Sequence, residues 1–96
     1  MTQYQTEAQF SQAVIEFARA NGWLVYHTWR SDHSEAGFPD LTLVRDGELR
    51  FAELKRDGKH VTQAQAEWLG ALAGAKIKVA VWRPSDWESI IRALAK

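Results

Sequence analysis

Leu41-Thr-Leu-Val-Arg45, then Asp46-Gly47, then Glu48-Leu-Arg-Phe-Ala-Glu-Leu54 is the stretch whose reading decides the fold. Two strand-like runs flank Asp-Gly, the dipeptide best suited to a two-residue type I′ turn, because both central residues of that turn need φ > 0. A β-hairpin is expected. If Asp46-Gly47 is the turn, Arg45 faces Glu48, and counting back two by two sets Asp40 opposite Glu53.

Cβ atoms of such a pair lie ~4.5–5.5 Å apart, and like charges facing each other weaken a sheet. Two carboxylates at this position call for a reason, and a bound cation supplies one. Lys55 is two residues beyond Glu53, so strand alternation brings it to the same face. The plainer alternative is a solvated hairpin face with a surface ion pair worth under ~1 kcal/mol.

Outward from the hairpin, Thr6 and Gln9 have capping-box spacing before a helix with Phe10, Val14, Phe17 and Ala18, stopped by Asn21-Gly22. At 100° per residue Glu7 falls on the stripe of Phe10, Val14 and Ala18, so a carboxylate is aimed inward. Favourable placement in the first turn, at the positive end of the helix dipole, explains its position along the axis but not its face. Trp23 to Trp29 reads as a strand, and Arg30 to Phe38 as a polar, Gly-containing loop.

After the hairpin, Arg56 to Val61 is a short basic loop. Thr62 and Gln65 then repeat the capping-box spacing before a helix with Trp68, Leu69 and Leu72, ended by Gly74. Gln65 lies on that apolar stripe, which suits a cleft rim as well as a cap. Ile77 to Trp82 reads as a strand, and Ser85-Asp-Trp-Glu88 as the capping box of a last helix carrying Trp87, Ile90, Ile91 and Leu94. The order is α-β-β-β-α-β-α, an α/β chain with a mixed sheet and flanking helices, expected to form one domain over residues 1–96.

The chain has no cysteine, so a Cys nucleophile and thiolate zinc sites are excluded; three scattered His argue against a His-only metal site. No apolar run approaches the ~20 residues of a membrane span, Met1–Gln5 lacks the regions of a secretory signal, and a cytoplasmic location is expected. Twelve Lys plus Arg balance twelve Asp plus Glu, so the bulk positive charge of many nucleic-acid binders is absent. Nucleic-acid binding then requires bases gathered on one face.

Clustered carboxylates suit hard cations such as Mg²⁺, which keep several waters and coordinate phosphate oxygens. Phosphodiester hydrolysis needs such a set, with Lys55 orienting water or stabilising charge on the phosphate. No Ser/His/Asp arrangement or Gly-rich nucleotide loop competes. Arg30, Arg56, Lys59 and His60 flank the hairpin in loops and are candidates for phosphate contacts. His27 and His33 are set aside, since a lone His in an aromatic strand or polar loop is seldom a ligand.

Gly37-Phe-Pro-Asp40 with Glu53-Leu-Lys55 resembles the PD-(D/E)XK signature of restriction-endonuclease-like nucleases. With Glu7, Arg30 and Thr62-Gln-Ala-Gln65 before Trp68-Leu69, the chain resembles the VRR-Nuc family over nearly its whole length. That resemblance implies a restriction-endonuclease-like core with Asp40, Glu53, Glu7 and the Leu54 carbonyl around Mg²⁺ or Mn²⁺, and Lys55 and Gln65 completing the site. It also implies a bacterial or phage endonuclease acting on branched DNA, similar to Holliday-junction resolvases that work as homodimers. Trp23, Trp29, Trp82 and Trp87 are candidates for the dimer surface. The rival readings are a non-catalytic DNA-binding module and a protein-interaction module on the same fold.

Overall fold

The computed structural model describes residues 6–29 and 35–96. Arg30 and His33 lie outside the described residues. The elements run α1 (Glu7–Ala20), β1 (Leu24–His27), β2 (Leu41–Arg45), β3 (Glu48–Leu54), α2 (Gln63–Gly74), β4 (Lys78–Trp82) and α3 (Trp87–Leu94), with a 3₁₀ turn at Pro84–Asp86. This is the expected order.

The turn chemistry sets the centre of the sheet. Asp46 (φ 51°) and Gly47 (φ 80°) both take positive φ, as a type I′ turn demands, and Arg45 pairs with Glu48 while Leu41 pairs with Ala52. β1 adds antiparallel to β2 with His27 opposite Leu41. β4 joins β3 in parallel, which requires a crossover, and α2 provides it. The strand order is β1-β2-β3-β4.

Alternation then sorts side chains between two faces. Leu41 and Leu43 of β2, Ala52 and Leu54 of β3 and Trp82 of β4 form one core with Phe10, Val14, Ile15 and Ala18 of α1 and Ile90 and Leu94 of α3. On the opposite face Phe38, from the loop before β2, stands edge-on between Phe51 of β3 (5.6 Å) and Trp68 of α2 (5.0 Å). The helices thus flank the sheet, although α2 buries no residue completely.

Two local expectations need correction. The strand read as Trp23 to Trp29 is only Leu24–His27, because Trp23 turns into the core, where its indole N–H donates to the Leu94 carbonyl at 2.8 Å. The Arg45 guanidinium covers that ring at 4.4 Å and donates to the Asn21 and Leu94 carbonyls, each at 2.8 Å, satisfying acceptors at the ends of α1 and α3. Ser85 does not cap α3. Its hydroxyl donates to Asp57 at 2.7 Å, and the 3₁₀ turn is closed instead by the Arg83 N–H donating to Asp86 Oδ2 at 2.9 Å.

Trp23 and Trp82 are buried in the core, and Trp87 is edge-on to Phe17. Trp23 and Trp82 are therefore withdrawn as dimer-surface candidates. The exposed apolar side chains of the sheet are Leu24, Tyr26, Val44 and Leu49; Leu24 pairs with Val44 and Val44 with Leu49, which aligns three of them in one row across three strands.

Candidate active site

Asp40 precedes β2, and the hairpin register, continued one step beyond Leu41–Ala52, sets it against Glu53. Two backbone bonds hold it there. Its Oδ2 accepts the Leu54 N–H at 2.8 Å, and its carbonyl accepts the Thr28 N–H at 2.8 Å. Pro39 beside it is fully buried and restricts the backbone on both sides of the peptide bond.

Glu53 is 2% exposed, and its Oε1 has no hydrogen-bond partner. Its carboxyl is pushed up to about 8, first by burial, then by the negative charge of Asp40 and a hydrogen bond to it, with Glu7 adding a smaller push; Lys55 offsets part of the rise. Two carboxyls this close share a hydrogen bond only if one keeps a proton. Lys55 is also buried, on the same face, with its N–H tied to the Trp82 carbonyl at 3.0 Å.

Two cavities meet at Asp40. The first, of about 320 Å³, is lined by Glu7, Ala8 and Ser11 of α1, His27, Thr28 and Trp29, Asp40 and Leu54. The second, of about 400 Å³, is lined by Thr28, Trp29, residues 35–38, Asp40, Lys55, Thr62 and Gln65. Together they form a groove with Asp40, Thr28 and Trp29 at its middle. Glu7 closes one end and Gln65 the other.

Gln65 serves both roles weighed for it. Its Oε1 accepts the Thr62 N–H at 2.8 Å while its own N–H donates to Thr62 Oγ1 at 3.1 Å, a complete capping box. The group it has for the groove is therefore its amide NH₂, a donor. Glu7 faces the first cavity, yet among the described residues no three acidic or His side chains gather closely enough to hold a metal by side chains alone. Arg56, Lys59 and His60 are exposed and line neither cavity, although the Lys59 carbonyl is gripped by the Arg83 guanidinium at 2.7 and 3.3 Å.

His27, set aside on sequence, lines the first cavity, and Thr28, not considered there, lines both. The signal that places them is the β1–β2 register, which the long intervening loop does not encode. In the sequence Gly37 stands out only as part of the motif. At φ +90° it lies so close to α2 that an added Cβ would meet the Ala64 carbonyl carbon at 2.4 Å and its oxygen at 2.5 Å. Gly37→Ala should therefore destabilise the fold by roughly 2 kcal/mol in urea unfolding; a change below about 0.5 kcal/mol would show that the loop is not pressed onto the helix.

The residues present fit a hard cation. Two carboxylates, one with an orphaned buried oxygen, sit beside the Leu54 main chain, and Mg²⁺ is commonly held by one or two carboxylates, with water and substrate phosphate filling the other positions.

An α/β fold whose mixed sheet holds Glu53 on β3, with Asp40 just before β2 and Lys55 just after β3, defines a nuclease-type, restriction-endonuclease-like domain. A model of the VRR-NUC domain matches residues 3–86, and the chain belongs to that family. Two solved structures, described as a VRR_NUC domain protein and a VRR_NUC domain, are similar at TM-score 0.76 and 21% identity each. The first match covers 96% of this chain and 89% of the other, and the second 90% and 94%. No curated protein matches the chain.

Proposed function

We propose that the protein is a Mg²⁺- or Mn²⁺-dependent endonuclease that hydrolyses phosphodiester bonds in branched DNA, in the manner of a Holliday-junction resolvase. The observation that carries this reading is the buried Glu53 carboxyl against Asp40, with an oxygen left unpaired. A fold that burdens itself with two facing acids and a buried lysine has a use for them other than stability.

Asp40, Glu53 and the Leu54 carbonyl would hold the ion. When bound, it supplies positive charge at the phosphate and acidifies water. Lys55 places an ammonium beside the acids, where it stabilises negative charge growing on the phosphate. The Gln65 amide donates to a phosphate oxygen at one end of the groove, and Glu7 orients water at the other. Arg56, Lys59 and His60, outside the groove, and Arg30 contact phosphates and fix orientation without reading bases.

The direct test is cleavage of a synthetic four-way junction beside duplex, flap and single-stranded DNA, with Mg²⁺, Mn²⁺ or EDTA. Symmetric metal-dependent nicks in the junction are expected. No cleavage of any substrate in either metal would leave a binding module on the nuclease fold.

Paired nicks in a two-fold junction need two active sites, so a homodimer is part of the proposal. The row Leu24, Val44 and Leu49 with Tyr26 is the surface we assign to a second copy, since it is apolar, exposed and at the β1 edge of the sheet. Leu24→Glu combined with Val44→Glu should convert a dimer to a monomer in sedimentation equilibrium and uncouple the two nicks. An unchanged mass would remove this face from the assembly.

A further inference from the structure

We propose that Trp29 is a stacking platform for one unpaired nucleobase beside the acid pair, an inference that rests on the nuclease reading and narrows its substrate. Trp29 is 73% exposed, whereas Trp23 and Trp82 are core residues, Trp87 packs on Phe17 and Trp68 on Phe38. Every other tryptophan is buried or packed against another aromatic ring. Trp29 instead leans on the His27 imidazole, with ring centroids 4.8 Å apart and a 42° tilt, so His27 supports the ring from one side and the rest meets solvent.

Its position gives that exposure a purpose. Trp29 lines both cavities, between the Glu7 end and the Lys55–Gln65 end of the groove. The Thr28 N–H bond to the Asp40 carbonyl, at 2.8 Å, ties the preceding residue to the catalytic strand. Thr28 Oγ1 is buried without a partner on a residue lining both cavities, a polar atom that a sugar or phosphate oxygen would satisfy. A phosphate at Asp40 and Lys55 thus brings its own nucleotide to Trp29.

Stacking on an aromatic side chain tolerates every base because each has a π face. A base inside an intact duplex already has both faces covered by its neighbours. The subsite therefore selects a nucleotide at a branch, flap or single-stranded arm, and it does so without sequence preference.

The test measures binding by fluorescence anisotropy in EDTA, and cleavage in Mg²⁺ and Mn²⁺, with three labelled DNAs: a fork, the same fork with abasic sites in its unpaired arm, and a duplex. Trp29→Ala should weaken fork binding about tenfold and leave duplex binding within about twofold, with Trp29→Phe restoring most of the loss. The wild type should bind the abasic fork as weakly as Trp29→Ala binds the intact fork. Thermal unfolding of Trp29→Ala should match the wild type, since the ring is exposed. Equal losses on fork and duplex, no loss at all, or an abasic fork bound normally by the wild type would each overturn the subsite while fork cleavage leaves the nuclease reading standing. A wild type that neither binds nor cleaves any of the three DNAs, nor the four-way junction, would overturn both.

Discussion

Asp40→Asn is expected to lower metal-dependent cleavage by about 10³-fold or more while the protein remains folded. Asn is the informative replacement because its side-chain oxygen still accepts the Leu54 N–H that Asp40 Oδ2 accepts at 2.8 Å. Asp40→Ala removes that acceptor and leaves the N–H unpaired, so it confounds chemistry with a local structural loss. Glu53→Gln should abolish cleavage equally, since the unpaired Glu53 Oε1 is the other oxygen offered to a cation. Both variants are measured on the four-way junction in saturating Mn²⁺, with circular dichroism as the folding control. Cleavage within about tenfold of wild type for either variant would remove that carboxylate from the chemistry.

Glu53 carries the second large effect. In the metal-free protein its carboxyl is raised from 4.5 to about 8, chiefly by burial and by Asp40. A carboxyl whose folded pKa is raised holds its proton better in the folded than in the unfolded chain. Its stabilising contribution is therefore complete below pH 4.5, declines as the unfolded chain ionises, and is gone once pH passes about 8. Across that window the loss amounts to several kcal/mol. Urea unfolding in EDTA should show wild-type stability falling relative to Glu53→Gln from pH 5 to pH 8, with the variant the more stable protein at pH 8. Divalent metal should restore wild-type stability most at the alkaline end, because binding requires the ionised carboxylates. A constant difference between the two proteins across the range would mean that Glu53 ionises normally.

These effects share one origin. The site buries Glu53 and Lys55 beside a second acid without full compensation, and the scaffold tolerates this through supports elsewhere, such as Arg45 bridging the ends of α1 and α3 and the Phe51–Phe38–Trp68 contact between sheet and α2. Stability invested away from the groove permits strain within it.

The hairpin, the acid pair and Lys55 were legible in the sequence because a two-residue turn is a local device. Asp46-Gly47 fixes the register of its own strands, and alternation does the rest. Helix starts at Thr6 and Thr62 were legible for the same reason, as a cap needs only the next three residues. Ser85 failed as a cap because Pro84 begins a 3₁₀ turn and Asp57, far away in sequence, takes its hydroxyl.

The groove itself was not legible. His27, Thr28 and Trp29 reach Asp40 through the pairing of β1 with β2, strands joined by a loop whose sequence sets no register. Periodicity also could not distinguish the buried Trp23 from the exposed Trp29, since both lie in one aromatic run and only the docking of α3 and Arg45 decides between them. By itself, the sequence determined the order of elements and which charged residues face one another, because neighbours along the chain suffice for both. Only the tertiary structure decided how deeply Glu53 is buried, which aromatic meets solvent and where the cavities lie, because burial and concavity arise between elements distant in the chain.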